Sequence, residues 1–432
     1  MKPPVESTPQ QLQRVVGLPG AITLGLGSIL GTGVFISLLF AVQIAGEWAV
    51  VSVAVAALLA VCNGLSSAQL AASHPVSGGA YEYGYRYLVP ALGFNAGWMF
   101  LLAKGASAAT AALAFSEGLR RTIPGAERID SRVLSTLTVV AVTALVLSGV
   151  RRSVRVNAAI VSLVLVSLGV FAFSVLTSST SMPRFDVQAF SLSEVLQASV
   201  LCFVAYTGYG RVATMGEEIR DPARNIPRAV IATLVVTFAV YLVVAATVVI
   251  AASSATSDSV LLARSLSDLL AGTHPDSAAV AFVQAGAMLA MFGVLLNLVL
   301  GLSRVVLAMS RRSDLPGYFA TLSSDDASPQ RAVVLVAVLI CALTMTGDIL
   351  RTWSMSAFAV LVYYATANLC ALRQPIEERR YPRIVSIAGL LGCLCLAPCV
   401  DQETWYGGLA LIAAGLIAKK IADIRKQKRP VT

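Results

Sequence analysis

The chain has 432 residues, 57% of them hydrophobic and 13% charged, with a formal net charge of +9 at neutral pH. Soluble domains carry about 25% charged residues, and a soluble protein of this composition would need twelve helices buried on all sides, which excludes an ordinary water-soluble enzyme. The basic residues are scattered over many short loops, so nucleic-acid binding, which needs them clustered, finds no support. Apolar runs of roughly 20 residues, each able to cross about 30 Å of hydrocarbon, recur from end to end. They are predicted at 18–40, 46–70, 91–117, 133–149, 156–177, 194–215, 229–252, 277–303, 332–347, 352–372, 384–400 and 404–418. The fold class is all-α integral membrane, with 12 transmembrane helices.

Residues 1–17 read as a cytoplasmic N-terminal segment. Its first 14 residues are polar and lack the early apolar stretch of a cleaved signal peptide, so the first span is expected to stay in the mature protein. That span contains GSILGTGVF (28–36), with Gly31, Thr32 and Gly33 near its middle. Glycine weakens a helix interior by about 1 kcal/mol relative to alanine. Either small residues let helices approach closely there, or the helix is unwound and its freed backbone faces a polar cavity.

The third span places Lys104 about halfway between Ala91 and Phe115. An ionisable group at that depth is costly and marks function by default. Coupling or gating is one role for it, and a static hydrogen-bonded or ion-paired role is the other. The outer loop after it, 118–132, has no cysteine to tether a partner subunit, and no zinc spacing accompanies the seven cysteines. Cys393, Cys395 and Cys399 are expected to pack as small hydrophobes.

The sixth span decides between the two readings of the first. In SVLCFVAYTGYGRVATMGEEIRDPARNIPR (199–228) the apolar sequence is interrupted at Thr207-Gly208-Tyr209-Gly210. Interrupted segments at matching positions of two halves are the best sequence pointer to a transporter's binding site. A broken helix presents amide donors at one half-helix end and carbonyl acceptors at the other. The backbone at Gly31, Thr32 and Gly33 then suits a carboxylate, with the Thr32 hydroxyl beside it. Carbonyls of Phe203, Val204, Ala205 and Tyr206 suit an ammonium, and Gly208 leaves room for close backbone approach. Ile29 completes this predicted substrate-binding set, which is complementary to a zwitterionic α-amino acid.

Arg211, just after the break, either faces a cytoplasmic vestibule, pairs with Glu217 or Glu218, or marks the helix edge. Those two acids are equally readable as a gate latch or a solvated loop. Asn225-Ile226-Pro227 is predicted to start the seventh span, since proline suits a first turn. Asn297, at the centre of the eighth, is placed to bond across helices or line the path. Ser162, Ser167 and Ser303 suit an ion site or their own helix carbonyls, and Trp48, Trp98, Trp353 and Trp405 are candidate interface anchors. With the N-terminus inside, 23 Lys and Arg fall on inner segments and seven on outer ones, which places both termini in the cytoplasm. Arg151, Arg152, Arg155 and the basic tail at 419–432 suit an anionic lipid surface.

These motifs, with PVSGGAYEYGYRYL (75–88), SVRVNAAI (153–160) and SRVVLAMSRRSDLPGYFA (303–320), resemble in order the amino acid–polyamine–organocation permeases of the bacterial amino acid transporter type. The resemblance covers nearly the whole chain. It implies a LeuT-like 5+5 inverted repeat with discontinuous helices 1 and 6. The repeats would be 18–177 and 194–372, followed by helices 11 and 12 at 384–418. It also implies carboxylate contacts at residues 31–33 and amine contacts at 203–206.

Three departures matter. Val204 stands where many members place an aromatic residue: either its neighbours Phe203 and Tyr206 substitute for it, or the pocket is roomier, which favours neutral substrates of moderate or large size. Gly210 stands where a glutamate is common, and Arg211 follows. Ala158 to Leu165 holds no counterpart of the fifth-span lysine of some proton-coupled relatives, which leaves Lys104 as the substitute.

The expected activity is secondary active transport of L-amino acids or related amines across the plasma membrane by alternating access, with a proton as coupling ion. Obligatory exchange is the alternative within transport, and sodium coupling comes third. A membrane-embedded enzyme would need converging acids, histidines or metal ligands, yet the only histidines, His74 and His274, lie outside the apolar centres. A non-transporting sensor is not excluded, although the soluble ends are short. No cofactor, metal, nucleic acid or disulfide-linked partner subunit is implied, and membrane lipids are the remaining partner.

Overall fold

The computed structural model describes residues 14–148, 150–178, 190–254, 265–272, 278–323 and 328–427. The N-terminal segment through residue 13, His274 and residues 428–432 of the basic tail lie outside them, as do the side chains of Arg151 and Arg152. Among the described residues every regular element is helical, and two isolated bridges, Val16 with Ile219 and Ser77 with Met215, are the only β pairing.

Helix α1 (Leu18–Ile29) carries Pro19 in its first turn, where a fixed φ suits a helix start. A bend and a π-helical turn, Gly33–Ser37, lead into α2 (Leu38–Ala45). Gly46, at φ +53°, then turns the chain into α3 (Ala49–Ser73). The short α4 (Ala80–Tyr87) precedes the long α5 (Pro90–Thr122). Asp130 caps α6 (Ser131–Leu147) by accepting from the Arg132 amide at 2.7 Å, and α7 (Val150–Ser178) follows.

Helix α8 (Leu192–Tyr206) passes through a 3-10 turn, Thr207–Tyr209, into the single turn of α9 (Gly210–Ala213). Helix α10 (Pro222–Ser254) begins at Pro222, so Pro227 lies inside it and the expected start at Asn225-Ile226-Pro227 is corrected by about one turn. Then come α11 (Leu266–Ala271), α12 (Ala278–Arg311), α13 (Gln330–Thr344) and α14 (Ile349–Arg373). The last two are α15 (Arg383–Leu396) and α16 (Gln402–Gln427).

Among the described residues six stretches are long and apolar enough to cross a membrane: Leu18–Ser73, Pro90–Thr122, Arg155–Ser178, Pro222–Ser253, Ala278–Arg311 and Ile349–Arg373. Ser131–Leu147, Gln330–Thr344 and Arg383–Cys399 are apolar and shorter. The protein is therefore a multi-pass membrane protein. Its centre is α5, 83% buried over its most apolar window, against 44% for the peripheral α7. Helix α5 packs on α12 and α14, while α3 packs on α8 and α10.

Small polar residues join these helices, as expected where lipid removes the hydrophobic drive between them. Ser107 meets Ser356 at 2.6 Å and Thr110 meets Thr352 at 2.7 Å between α5 and α14. Asn368 donates to Asn63 at 2.5 Å, and Ser66 lies 2.9 Å from Ser386, tying α3 to α14 and α15. Cys393 is buried there against Asn63 and Cys399 is partly buried against the core, as expected, whereas Cys395 is exposed; all seven cysteines are unpaired. Trp353 is 2% exposed with its indole N–H on the Leu201 carbonyl, which makes it a core residue rather than an interface anchor.

Candidate substrate site at two interrupted helices

The two interruptions meet. Helix α1 ends at Ile29, and the chain turns through Leu30 and Gly31, whose amide donates to the Ile29 carbonyl at 2.9 Å. The Gly31 donor expected for a carboxylate is thus engaged locally in this arrangement. At the second break, the Thr207 hydroxyl donates to the Val204 carbonyl at 2.6 Å. Tyr241 of α10 spans the two. Its hydroxyl lies 2.8 Å from the Ile29 carbonyl and 3.3 Å from that of Ala205, so one donor serves both broken helices.

The glycines are where neighbours press in. A Cβ at Gly33 would meet the Ala205 Cα at 2.9 Å, and one at Gly31 would overlap Val294 and lie 3.0 Å from the Ala290 carbonyl. One at Gly208 would lie 2.6 Å from the Ser28 carbonyl oxygen. Close packing and interruption are therefore features of one arrangement. Phe203 packs edge-on against Tyr364, and Tyr206 lies against Tyr241, so aromatic rings flank Val204 on both sides in sequence.

Removing the bridge is a direct test of what holds the breaks together. Tyr241 is fully buried, and Tyr241→Phe leaves the Ile29 and Ala205 carbonyls without that donor. The expected cost is about 1–3 kcal/mol, read as a lower thermal unfolding midpoint in detergent. An unchanged midpoint would show that the hydroxyl holds nothing.

Lys104 reaches the second break from α5. Its Nζ donates to the Thr207 hydroxyl at 2.6 Å and lies 3.4 Å from the Thr207 carbonyl, which also accepts from the Tyr364 hydroxyl at 3.2 Å. Lys104, Thr207, Gly208 and Arg211 line a cavity of about 10 Å³ with Ser28 and Phe100, room for about one water. Arg211 pairs by hydrogen bond with neither acid expected for it. Glu218 is held by Arg304 of α12, at 2.6 and 3.1 Å, and Glu217 by Arg311 at 3.1 Å.

Asn297 stands apart from this cavity. It donates to Asn157 of α7, which in turn donates to the Thr23 carbonyl of α1 at 2.8 Å, so it ties three helices together. The Ser303 hydroxyl donates to its own helix's Leu300 carbonyl at 2.8 Å. A wider cavity of about 650 Å³ opens near the ends of α2, α8, α14 and α16, lined by Ile44, Gln197, Asp348 and Asp401, and includes neither break.

A sequence profile described as amino acid permease matches residues 20–389. The chain belongs to the amino acid permease family. Among relatives of this permease, an uncharacterized transporter of Mycobacterium tuberculosis is 38% identical over 423 residues, covering 96% of this chain and 93% of its own. The branched-chain amino acid permease BcaP of Bacillus subtilis is 27% identical, covering 90% and 88%. The methylthioribose transporter of the same species is 24% identical, covering 95% and 94%. Sequence reasoning about the permease missed Tyr241, Tyr364, Arg304 and Arg311. A tyrosine within an apolar run carries no spacing signal, and the arginines were legible only as topology charges.

Proposed function

We propose that this permease carries L-amino acids or closely related amines across the plasma membrane by alternating access, between inverted five-helix repeats at 18–177 and 194–372. The observation that carries this reading is the meeting of two interrupted helices whose carbonyls share one buried hydroxyl, Tyr241. Substrate would take over backbone groups that the closed arrangement satisfies internally. Its carboxylate goes to the amides at residues 31–33 and its ammonium to carbonyls at 203–206, where half-helix ends favour each charge. The aromatic residues Phe203 and Tyr206 supply apolar surface for the side chain.

Release requires the breaks to part, which the glycine contacts make an all-or-none movement of packed backbone. We assign proton coupling to Lys104, because its hold on Thr207 links its protonation to the sixth-span break. A charged amine donates strongly to both Thr207 oxygens, and loss of its proton weakens that hold. The excess of basic residues on inner segments supports cytoplasmic termini.

Uptake of labelled L-amino acids into proteoliposomes tests the proposal, with and without an inward proton gradient and with empty or substrate-loaded vesicles. Gradient-driven uptake into empty vesicles is expected. Uptake confined to loaded vesicles would establish exchange and leave Lys104 a static support, and no flux in any setting would overturn the amino acid reading.

A further inference from the structure

Two buried basic residues, Lys104 and Arg211, line the otherwise largely apolar cavity beside the second break. Arg211 is 3% exposed, and none of its three guanidinium nitrogens has a hydrogen-bond partner among the described residues. A guanidinium cannot shed its proton to escape burial, and it presents five donors in a rigid fork matched to a carboxylate. The same cavity is lined by Lys104 and by no acidic residue. Its one serine, Ser28, donates its hydroxyl to the Leu24 carbonyl at 2.9 Å.

The acids that follow Arg211 in sequence do not fill the gap. Glu218 acts on Arg211 electrostatically, but both its oxygens accept from Arg304. Glu217 is held by Arg311 and by the Ser77 amide at 3.0 Å. Room for the arginine is provided on α12 by Gly301, where a Cβ would come within 3.1 Å of the Arg211 Cδ. A buried cation with unused donors, beside a second cation, is a receptor awaiting an anion.

We infer that this cavity receives an anionic group: the side-chain carboxylate of an acidic amino acid, or a small free anion bound with the substrate. The inference rests on the amino acid transport proposed above and narrows its substrate class. A carboxylate arriving as the first and sixth spans part takes the donors of Arg211 and competes with Thr207 for Lys104. Selectivity is then set by charge rather than by volume.

Isosteric pairs give the test. In proteoliposomes, L-glutamate is compared with L-glutamine, and L-aspartate with L-asparagine, as competitors of labelled uptake, in chloride and again in gluconate. The acidic member is expected to compete at least tenfold better than its amide. Arg211→Gln should bring that ratio close to one, while Arg211→Lys retains part of it. Should the glutamine variant fail to fold, the wild-type ratio still decides. Equal competition in the pairs, combined with uptake that requires chloride, would support the anion site and assign it to a free ion. Equal competition with no dependence on the anion overturns the inference and leaves amino acid transport standing. Absence of uptake for every amino acid overturns the transport reading and this inference with it.

Discussion

Gly208→Ala is expected to abolish uptake while leaving a folded, purifiable protein. The added Cβ would lie 2.6 Å from both the carbonyl carbon and oxygen of Ser28 and would also overlap the Ile29 side chain. A side-chain tip can rotate away from such a contact, but backbone cannot. The end of α1 must then move off the 3-10 turn at Thr207–Tyr209, pulling the Ile29 carbonyl from Tyr241 and disturbing the Thr207 oxygens that hold Lys104. Overpacking of this kind costs about 1–3 kcal/mol, less than a well-packed membrane bundle needs to stay folded, while the site loses its geometry. Uptake in proteoliposomes and thermal unfolding, measured together, separate these effects. Gly169→Ala is the control. Gly169 is exposed on α7 with nothing near its missing Cβ, and alanine there should stabilise the helix by up to about 1 kcal/mol. Retention of more than half the wild-type uptake by Gly208→Ala would remove the close approach from the mechanism.

The largest stability effect is expected at Glu218. Its carboxylate and the Arg304 guanidinium are 4% and 1% exposed and form a two-pronged pair at 2.6 and 3.1 Å. Breaking a buried pair by removing one partner costs about 3–5 kcal/mol, because the other charge stays buried and uncompensated. Glu218→Gln leaves Arg304 and Arg211 as two buried cations with no carboxylate between them, so its loss should lie at the upper end. Arg304→Met should cost less, since Arg211 already acts on the same carboxylate. The double variant should recover much of the loss, and a cycle without such coupling would show that the pair is energetically idle.

Acid should reproduce the glutamine variant. Burial works to raise the Glu218 carboxyl, but Arg304 outweighs it and holds the group below its ordinary value of 4.5. The stability this provides is fully present above the ordinary carboxylate range and is lost as pH falls through the lowered value. Unfolding midpoints of wild type and Glu218→Gln should therefore converge on acidification.

Much of this was legible in the sequence because the breaks are made of residues that helices avoid. Gly31, Thr32 and Gly33, and the Thr207-Gly208-Tyr209-Gly210 stretch, interrupt apolar runs, and the structure bends the chain at both. Lys104 was legible from depth alone, though its partner Thr207 lies 103 residues away. What escaped were features fixed by pairing. Arg211 has two acids within seven residues, yet both turn to arginines 86 and 94 residues distant. Helix α10 starts at Pro222 with Pro227 inside it, a choice the residues alone leave open because either proline fits a first turn. Trp353 reads as an interface residue by type, and the Leu201 carbonyl that satisfies its buried indole N–H is visible only in the structure.

Arg304, Arg311 and Arg312 are fastened respectively to Glu218, Glu217 and Glu82, carboxylates drawn from two separate segments. One end of α12 and the residue just beyond it thus act as a rivet line across that face of the protein. The opposite end of the central bundle has a lighter fastening, Arg121 to Asp268 and Glu117. The outermost rivet of the α12 line, Arg312 with a 40% exposed side chain, yields to salt far sooner than the dry pair at Arg304. Raising the ionic strength is therefore expected to loosen this face from its exposed rim inward, the Arg312 pair before the Arg304 pair.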